Sequence, residues 1–175
     1  MAAQLPLLEP LKMADLSLDK PGPTWRFEVI GKPQPGGSKK AFVIPTASGG
    51  RGRAVVVEAN KNLKPWKAAV QEAAREQLPR WWEGPLEGPV YLALIFVRAR
   101  PKGHFGSGRN AAQVRASAPR YPTTAPDTTK LTRGLEDALT GIAYRDDAQV
   151  VTQVCCKRFA EVGEGERVIV EVTPL

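Results

Sequence analysis

The sequence predicts one α+β domain, in which two main helices pack against a mixed or mostly antiparallel sheet. Two observations support this fold class. Strand-like and helix-like segments follow one another in the order strand, strand, helix, strand, loop, helix, strand, strand. In addition, a chain of 175 residues with 42% hydrophobic and 25% charged residues has ordinary globular values and can bury one sizeable core.

The first strands are predicted from alternation and from breaker residues. Residues 25–31 (WRFEVIG) alternate apolar and charged side chains, which is typical of a half-buried strand. Proline and glycine interrupt residues 32–40, so we expect a loop there that ends in Lys39 and Lys40. Residues 54–59 are a short apolar run that predicts a second strand.

The middle of the chain combines a helix, a buried strand and a long loop. Residues 63–78 carry apolar side chains near helical spacing and predict an amphipathic helix. Residues 89–98 are apolar on both faces, which suits a central strand. Residues 99–126 are basic and rich in glycine, serine and proline, and we expect a long loop that is either functional or disordered.

The last part of the chain predicts a helix followed by two strands. Residues 128–141 have helical spacing, and the glycine at their end is a natural stop. Residues 148–159 and 166–173 have the composition of strands and are joined by a turn rich in glycine and glutamate. The start of the chain, residues 1–24, is expected to be a flexible arm ahead of one domain that spans residues 25–175.

The use of cysteine and of apolar residues indicates a cytoplasmic protein. Cys155 and Cys156 are adjacent in a predicted strand, where neighbouring side chains point to opposite faces, so we expect reduced packing residues and no disulfide between them. No apolar run in the sequence reaches the length of a membrane span. We therefore expect no membrane partner.

The balance of charges favours a polyanionic partner. The chain has 25 Lys and Arg against 18 Asp and Glu, a formal net charge of +7, which is most simply explained by binding to nucleic acid. No acid lies between Glu87 and Asp127, a segment rich in cations. We expect phosphate contacts from this segment and from the earlier lysine pair, through Lys39, Lys40, Arg100, Lys102, Arg109, Arg115 and Arg120.

Two adjacent acids, Asp146 and Asp147, lie just before a strand-like run in TGIAYRDDAQVV (140–151). Like charges side by side are tolerated where a turn is fully solvated or where a cation neutralises them. Asp127 precedes the second predicted helix. If the strand packs beside this helix, Asp127 and Asp147 can approach closely enough to share a divalent ion.

The same helix has an apolar stripe and a polar face at about 100° per residue. The stripe consists of Leu131, Leu135, Ala138, Leu139 and Ile142, which must face the core. Thr129, Arg133 and Glu136 fall on the other side. These residues also have a purely structural explanation, with Asp127 as an N-cap and Arg133 paired with Glu136, and spacing alone favours that explanation.

Three segments of the chain together resemble the RusA-type Holliday junction resolvases, which are crossover junction endodeoxyribonucleases. PDTTKLTRGLEDALTGIAYRDDAQVV is similar to the family's C-terminal signature, GKPQPGGSKK to the loop after its first strand, and LKPWKAAVQEAA to its first helix. The resemblance covers nearly the whole chain. It implies a homodimer that cuts four-way or branched DNA with Mg²⁺, or with Mn²⁺ as a substitute.

The resemblance also implies roles for individual residues. Asp127 and Asp147 match metal-ligating acids of the family, and Asp146 would be an outer-shell or turn acid beside the ion. Arg133 matches a basic helical residue that contacts the scissile phosphate, and Lys130 would contact DNA on the same helix. Carboxylate oxygens are suited to Mg²⁺, which activates water and neutralises charge at phosphorus.

One position departs from the family's pattern. Thr129 occupies a place where the family commonly has a second acid, and a hydroxyl is a poor substitute for a carboxylate. Glu136 lies seven residues later, within about 20° of Thr129 around the helix, and could lean back to complete the metal site. The alternatives are that Glu136 is a surface ion-pair residue, and that the protein binds branched DNA with impaired catalysis.

Overall fold

A computed structural model of the chain describes residues 22–45 and 52–175. Within these ranges the chain forms six strands and two α-helices. In chain order they are β1 (Trp25–Ile30), β2 (Lys39–Ile44), β3 (Arg53–Glu58), α1 (Leu63–Glu76), β4 (Val90–Arg98), α2 (Thr128–Leu139), β5 (Val150–Phe159) and β6 (Arg167–Pro174). Residues 1–21 of the expected N-terminal arm lie outside the described residues, and β1 begins at Trp25 as predicted.

The main sheet is mixed, as the sequence predicts. Its strand order is β1-β6-β4-β5, in which β4 pairs in parallel with β5 and the other two pairs are antiparallel. β4 is an inner strand. Leu92, Leu94 and Phe96 are fully buried on one face, and Tyr91 and Val97 are buried on the other. This burial explains why its sequence is apolar on both faces.

Both helices cover one face of this sheet. The stripe predicted for α2, which continues into the turn after the helix, is buried at all five positions. α1 contributes the buried side chains of Leu63, Trp66, Val70 and Ala74 to the same core. α2 ends at Leu139, two residues before Gly141, which has a φ of 81° and stops the helix as predicted.

One strand was not predicted. Residues 39–44 form β2, which pairs with β3 in a separate antiparallel hairpin, although we expected a loop up to Lys40. The apolar part of β2 is only four residues long, and its two lysines adjoin a segment rich in proline and glycine. Such a short run carries too little periodicity to predict a strand.

Two further boundaries differ from the prediction. The basic segment 99–126 is not structureless, since it contains two single-turn 3-10 helices, at Lys102–His104 and Gly108–Asn110. The strand expected from residue 148 begins at Val150, because Asp147–Gln149 form another 3-10 turn. Both cysteines are free, and among the described residues no helix is long and apolar enough to cross a membrane.

Candidate active site

Asp127 lies at the start of α2 with a carboxylate that does not cap the helix. Its backbone is extended, as an N-cap residue requires, but the side chain accepts no capping hydrogen bond. The carboxylate instead forms an ion pair with Lys130, at 3.3 Å from Oδ2 to Nζ, and both side chains are more than half exposed. The structural explanation offered by the sequence, N-capping, therefore does not account for this acid.

Lys157 holds the chain that leads into Asp127. Its Nζ donates hydrogen bonds to the carbonyl oxygens of Thr124 (3.1 Å) and Pro126 (3.0 Å). Lys157 pairs with Phe96 across the sheet and so points toward the face that the helices cover. Lys157 is not among the residues predicted for the site. The available signal was a lysine at a core-facing position of β5.

Glu136, in the third turn of α2, is half-buried and engaged from several sides. Its Oε1 accepts a hydrogen bond from Nε2 of Gln153 on β5. Burial raises the pKa of Glu136, the hydrogen bond from Gln153 opposes this change, and the negative charge of Asp147 raises the pKa further. The polar face of α2 is thus turned partly toward β5 and away from open solvent.

The turn before β5 places Asp146 and Asp147 differently. Oδ1 of Asp146 accepts a hydrogen bond from the backbone N–H of Ala148, at 2.8 Å, and the Gln149 side chain completes a capping box with the Asp146 backbone. Gln149 also donates to the carbonyl oxygens of Leu86 and Gly88, which anchors the turn. Asp146 is therefore a turn acid, while Asp147 is exposed and its negative charge acts on Glu136.

Tyr144 links these acids to the end of α2. Its hydroxyl donates to the carbonyl oxygen of Glu136 at 3.3 Å, and its side chain is fully buried. Burial first, and then the negative charges of Glu136 and Asp147, raise the pKa of Tyr144 far above its usual value. The phenol is therefore a neutral donor that ties the third turn of α2 to the turn carrying Asp147.

Glu136 and Asp147, two carboxylates on separate elements, are coupled electrostatically, since the charge of Asp147 raises the pKa of Glu136. Asp127 lies nine residues before Glu136, a distance of about 13 Å along the helix axis. Thr129 is exposed in the first turn. Within residues 22–45 and 52–175, no three His, Cys, Asp or Glu side chains form a group that could hold a metal ion. Mg²⁺ is commonly held by one or two carboxylates together with water and substrate phosphate oxygens, so a carboxylate pair fits this ion.

Arg133 lies between Glu136 and the loop that precedes β2. It is exposed and close enough to Glu136 for its positive charge to lower the pKa of that carboxyl. Gly37, with a φ of 80°, lies directly against it, since a Cβ on Gly37 would be 2.8 Å from Cδ of Arg133. The missing side chain at Gly37 leaves room for the guanidinium.

The other predicted DNA contacts are spread over the hairpin and the basic segment. Arg100 is half-buried, donates to the carbonyl oxygen of Pro119 at 3.0 Å and lies 4.8 Å from the ring centre of Phe159, so it helps to hold the basic segment in place. The remaining members are exposed: Lys39, Lys40, Lys102, Arg109, Arg115 and Arg120, together with Lys130 on α2. Their contacts with phosphate remain predictions.

Comparison with known proteins shows the family of the chain. Residues 29–173 match the family described as Endodeoxyribonuclease RusA. The chain is also similar to a Bacillus subtilis (strain 168) protein named Uncharacterized protein YqaN, with 30% identity over 148 residues, which is 85% of this chain and 96% of the relative. The match spans every strand and helix described above except the first part of β1 and the last residue of β6. The chain therefore belongs to the RusA endodeoxyribonuclease family.

Proposed function

We propose that this protein is a Mg²⁺-dependent endodeoxyribonuclease that resolves four-way DNA junctions by paired, symmetric cuts. The observation that carries the proposal is the electrostatic effect of Asp147 on the half-buried Glu136 in a chain of this family, with Arg133 on the same helix. The negative charge of Asp147 raises the pKa of Glu136, and a bound cation would compensate for this repulsion.

Each residue of the candidate active site has its own proposed role. Glu136 and Asp147 would hold Mg²⁺. Asp127, whose carboxylate is free of capping, matches a metal ligand of the family through the resemblance, but it lies about 13 Å from Glu136 along the helix axis, so the two do not share one ion in this arrangement. When bound, the ion supplies a polarised water and neutralises the charge that develops on the phosphate. Arg133 contacts the scissile phosphate, for which a planar guanidinium with paired donors is suited. Lys157 positions the approach to Asp127.

A homodimer matches the symmetry of the reaction. Resolving a junction into two nicked duplexes requires two cuts related by a two-fold axis, and two identical subunits supply two such sites. In light scattering at micromolar concentration we expect twice the mass of the 19.0 kDa chain. The mass of one chain, both with and without junction DNA, would contradict the symmetric mechanism.

A second candidate function is junction binding without cleavage. Thr129 offers a hydroxyl where the family commonly has an acid, and among the described residues no three acids form a group that could hold a metal ion. Such a protein would retain and protect four-way DNA through its exposed cations.

Incubation of a supercoiled cruciform plasmid with purified protein distinguishes the two functions. We expect paired cuts with Mg²⁺ and none with a chelator. Retention without cutting would support the binding protein, and indiscriminate cutting would indicate a nuclease of broader specificity.

Substitution of the acids tests the assignment of the site. Asp127→Asn and Asp147→Asn should each abolish cutting but leave junction binding intact or improved, because the change removes a charge that repels phosphate. Asp137→Asn is the matched control, because its carboxylate pairs with Lys67 on α1 at 2.7 Å, and it should remain active. Parallel loss of binding and cutting in well-folded Asp127 or Asp147 variants would count against these roles.

A further inference from the structure

The hairpin formed by β2 and β3 exposes an unusual amount of apolar surface. Phe42 and Ile44 are each 48% exposed, and Val43, Val56 and Val57 are also exposed. A two-stranded hairpin is only marginally stable by itself, and neighbouring apolar side chains exposed on it mark an interaction surface. The exposed side chains of the hairpin are therefore available to contact a binding partner outside the described fold.

The two faces of the hairpin differ in charge. Strand alternation and the observed register place Lys40, Phe42 and Ile44 on one face, opposite Val57, Val55 and Arg53. The other face carries Lys39 directly opposite Glu58, with Ala41, Val43, Ala54 and Val56. In the described residues of the hairpin the first face, here called the Lys40 face, has two cations and no acid.

The chain that leads into the hairpin, here called its root, is hydrogen-bonded to α2. The backbone N–H of Gly36 donates to the carbonyl oxygen of Lys130 at 2.8 Å, and a Cβ on Gly36 would lie 2.9 Å from Cα of Gly134. The N–H of Ala59 donates to the carbonyl oxygen of Ser38 at 2.7 Å and closes the base of the hairpin. The hairpin thus begins beside Arg133, the residue assigned to the scissile phosphate.

We propose that the Lys40 face binds the branch point of the DNA substrate, with Phe42 stacked on a base that the branch leaves unstacked. The proposal rests on the proposed function. Lys40 and Arg53 lie toward opposite ends of the face and contact phosphates on either side of the aromatic ring. Aromatic stacking on bases needs an open base face, which a branch point offers and the interior of an intact duplex does not.

The charges on this face favour DNA over a second copy of the chain. Pairing two copies through the Lys40 face would bring only positive charges together, and like charges across an interface are unfavourable. A polyanion compensates for the same charges. The hairpin's position beside Arg133 also places it near the DNA that the candidate active site would hold.

Binding measurements with two DNAs test the proposal. In a chelator, so that no DNA is cut, dissociation constants are measured for a four-way junction and for a linear duplex of the same arm length. We expect Phe42→Ala to weaken junction binding about 10-fold or more, the loss of about one stacking contact, and to leave duplex binding nearly unchanged. Phe42→Leu keeps the apolar bulk but removes the aromatic ring, so it should have the same effect.

Matched variants separate stacking from charge. Val43→Ala removes an exposed apolar side chain from the opposite face and should leave both dissociation constants unchanged. Lys40→Ala and Arg53→Ala should weaken binding to both DNAs and each lower the salt slope by about 1.

Three results would overturn the proposal. The first is wild-type protein that binds both DNAs equally, and the second is Phe42→Ala and Phe42→Leu proteins that keep the wild-type preference for the junction. The third is a Phe42→Leu protein whose mass in light scattering falls to one chain, which would make the face an interface between copies. If the wild-type protein prefers the junction through Phe42 but does not cut it, the proposed nuclease activity is refuted. The proposed role of the Lys40 face then still holds.

Discussion

Glu136 is the residue whose role changes most between sequence and structure. Spacing allowed either a surface ion pair or a carboxylate that reaches back toward Thr129. In the structure it is half-buried and accepts a hydrogen bond from Gln153, and its pKa is raised by burial and also by the charge of Asp147. A surface ion pair with Arg133 does not require this burial, and the role of Glu136 as a metal ligand is a proposal to be tested.

Replacing Glu136 with glutamine keeps the side chain's size and hydrogen bonding but removes the charge that a hard cation needs. We expect Glu136→Gln to lower the cutting rate by about 100-fold or more, which corresponds to about 3 kcal/mol of transition-state stabilisation. Single-turnover cleavage of a junction checks this. If Glu136 only pairs with Arg133, the change should cost about 0.2–0.5 kcal/mol of stability and leave the rate unaltered.

Thr129→Asp reports which end of α2 holds the ion. Thr129 and Glu136 share a helical face but are separated by about 10 Å along the axis. We therefore expect Thr129→Asp not to restore cutting to the Glu136→Gln protein, measured in the same single-turnover assay. Rescue would instead place the ion at the Asp127 end of the helix, with the acid in the family's usual position.

At the scale of elements, a close glycine contact joins α2 to the loop before the hairpin. A Cβ on Gly134 would lie 2.8 Å from the carbonyl oxygen of Gln34 and 3.2 Å from the backbone nitrogen of Gly36. Since both neighbours are backbone atoms, they cannot move aside as a flexible side chain would. The contact therefore fixes the position of Arg133 and of the hairpin root relative to α2.

Gly134→Ala should destabilise the protein although alanine favours helix by about 1 kcal/mol over glycine. Overpacking costs typically about 1–3 kcal/mol, so we expect a net loss of up to about 2 kcal/mol in the free energy of unfolding. Urea unfolding measures it, with Lys130→Ala on the exposed side of the same helix as a control that should change stability by less than about 0.5 kcal/mol. A stabilised Gly134→Ala protein would show that the loop does not press on the helix.

At the scale of the whole molecule, ion pairs stabilise one end of the main sheet. Arg158 on β5 donates two hydrogen bonds to Glu164, at 2.5 and 2.7 Å, and the N–H of Glu161 donates a third at 3.0 Å. Arg167 on β6 pairs with Glu28 on β1 at 2.7 Å. The hydrogen bonds from Arg158, more than any other contact, lower the pKa of Glu164 from 4.5 to about 2.

This lowered pKa makes stability depend on pH in the acid range. The ionised Glu164 stabilises the folded state fully above pH 4.5, and the contribution is lost as pH falls from about 4.5 to about 2. We expect Glu164→Gln to lower the free energy of unfolding by about 2 kcal/mol at pH 7. The difference from wild type should shrink between pH 4 and pH 2.5 in urea titrations. A difference that is constant over this range would contradict the assignment.

DNA binding should depend strongly on salt, because the exposed cations of the hairpin and of the basic segment displace counterions. If all six exposed members, Lys39, Lys40, Lys102, Arg109, Arg115 and Arg120, contact phosphate, a plot of log affinity against log salt concentration should have a slope of about −5. Fluorescence anisotropy with a labelled junction measures the slope. A binding constant that hardly changes across the titration would remove the case for these contacts.

The sequence by itself determined the fold class, the positions of the helices and the strands of the main sheet, and the family. Helical and strand periodicities are local, so the buried stripe of α2 and the apolar run of β4 could be predicted from neighbouring residues alone. The segment around Asp127 and Asp147 likewise carried the resemblance to RusA. β2 was missed because its four apolar residues have too little periodicity next to prolines and glycines.

Only the tertiary structure decided which side chains meet. Glu136 meets Gln153 and comes under the charge of Asp147 because α2 packs against β5, and Lys157 of β5 also binds the chain just before α2. That alignment depends on how helix and sheet pack, which is a long-range property that no local spacing encodes. For the same reason the exposed Lys40 face could be recognised only after the hairpin's register had placed Lys40, Phe42 and Arg53 on one side.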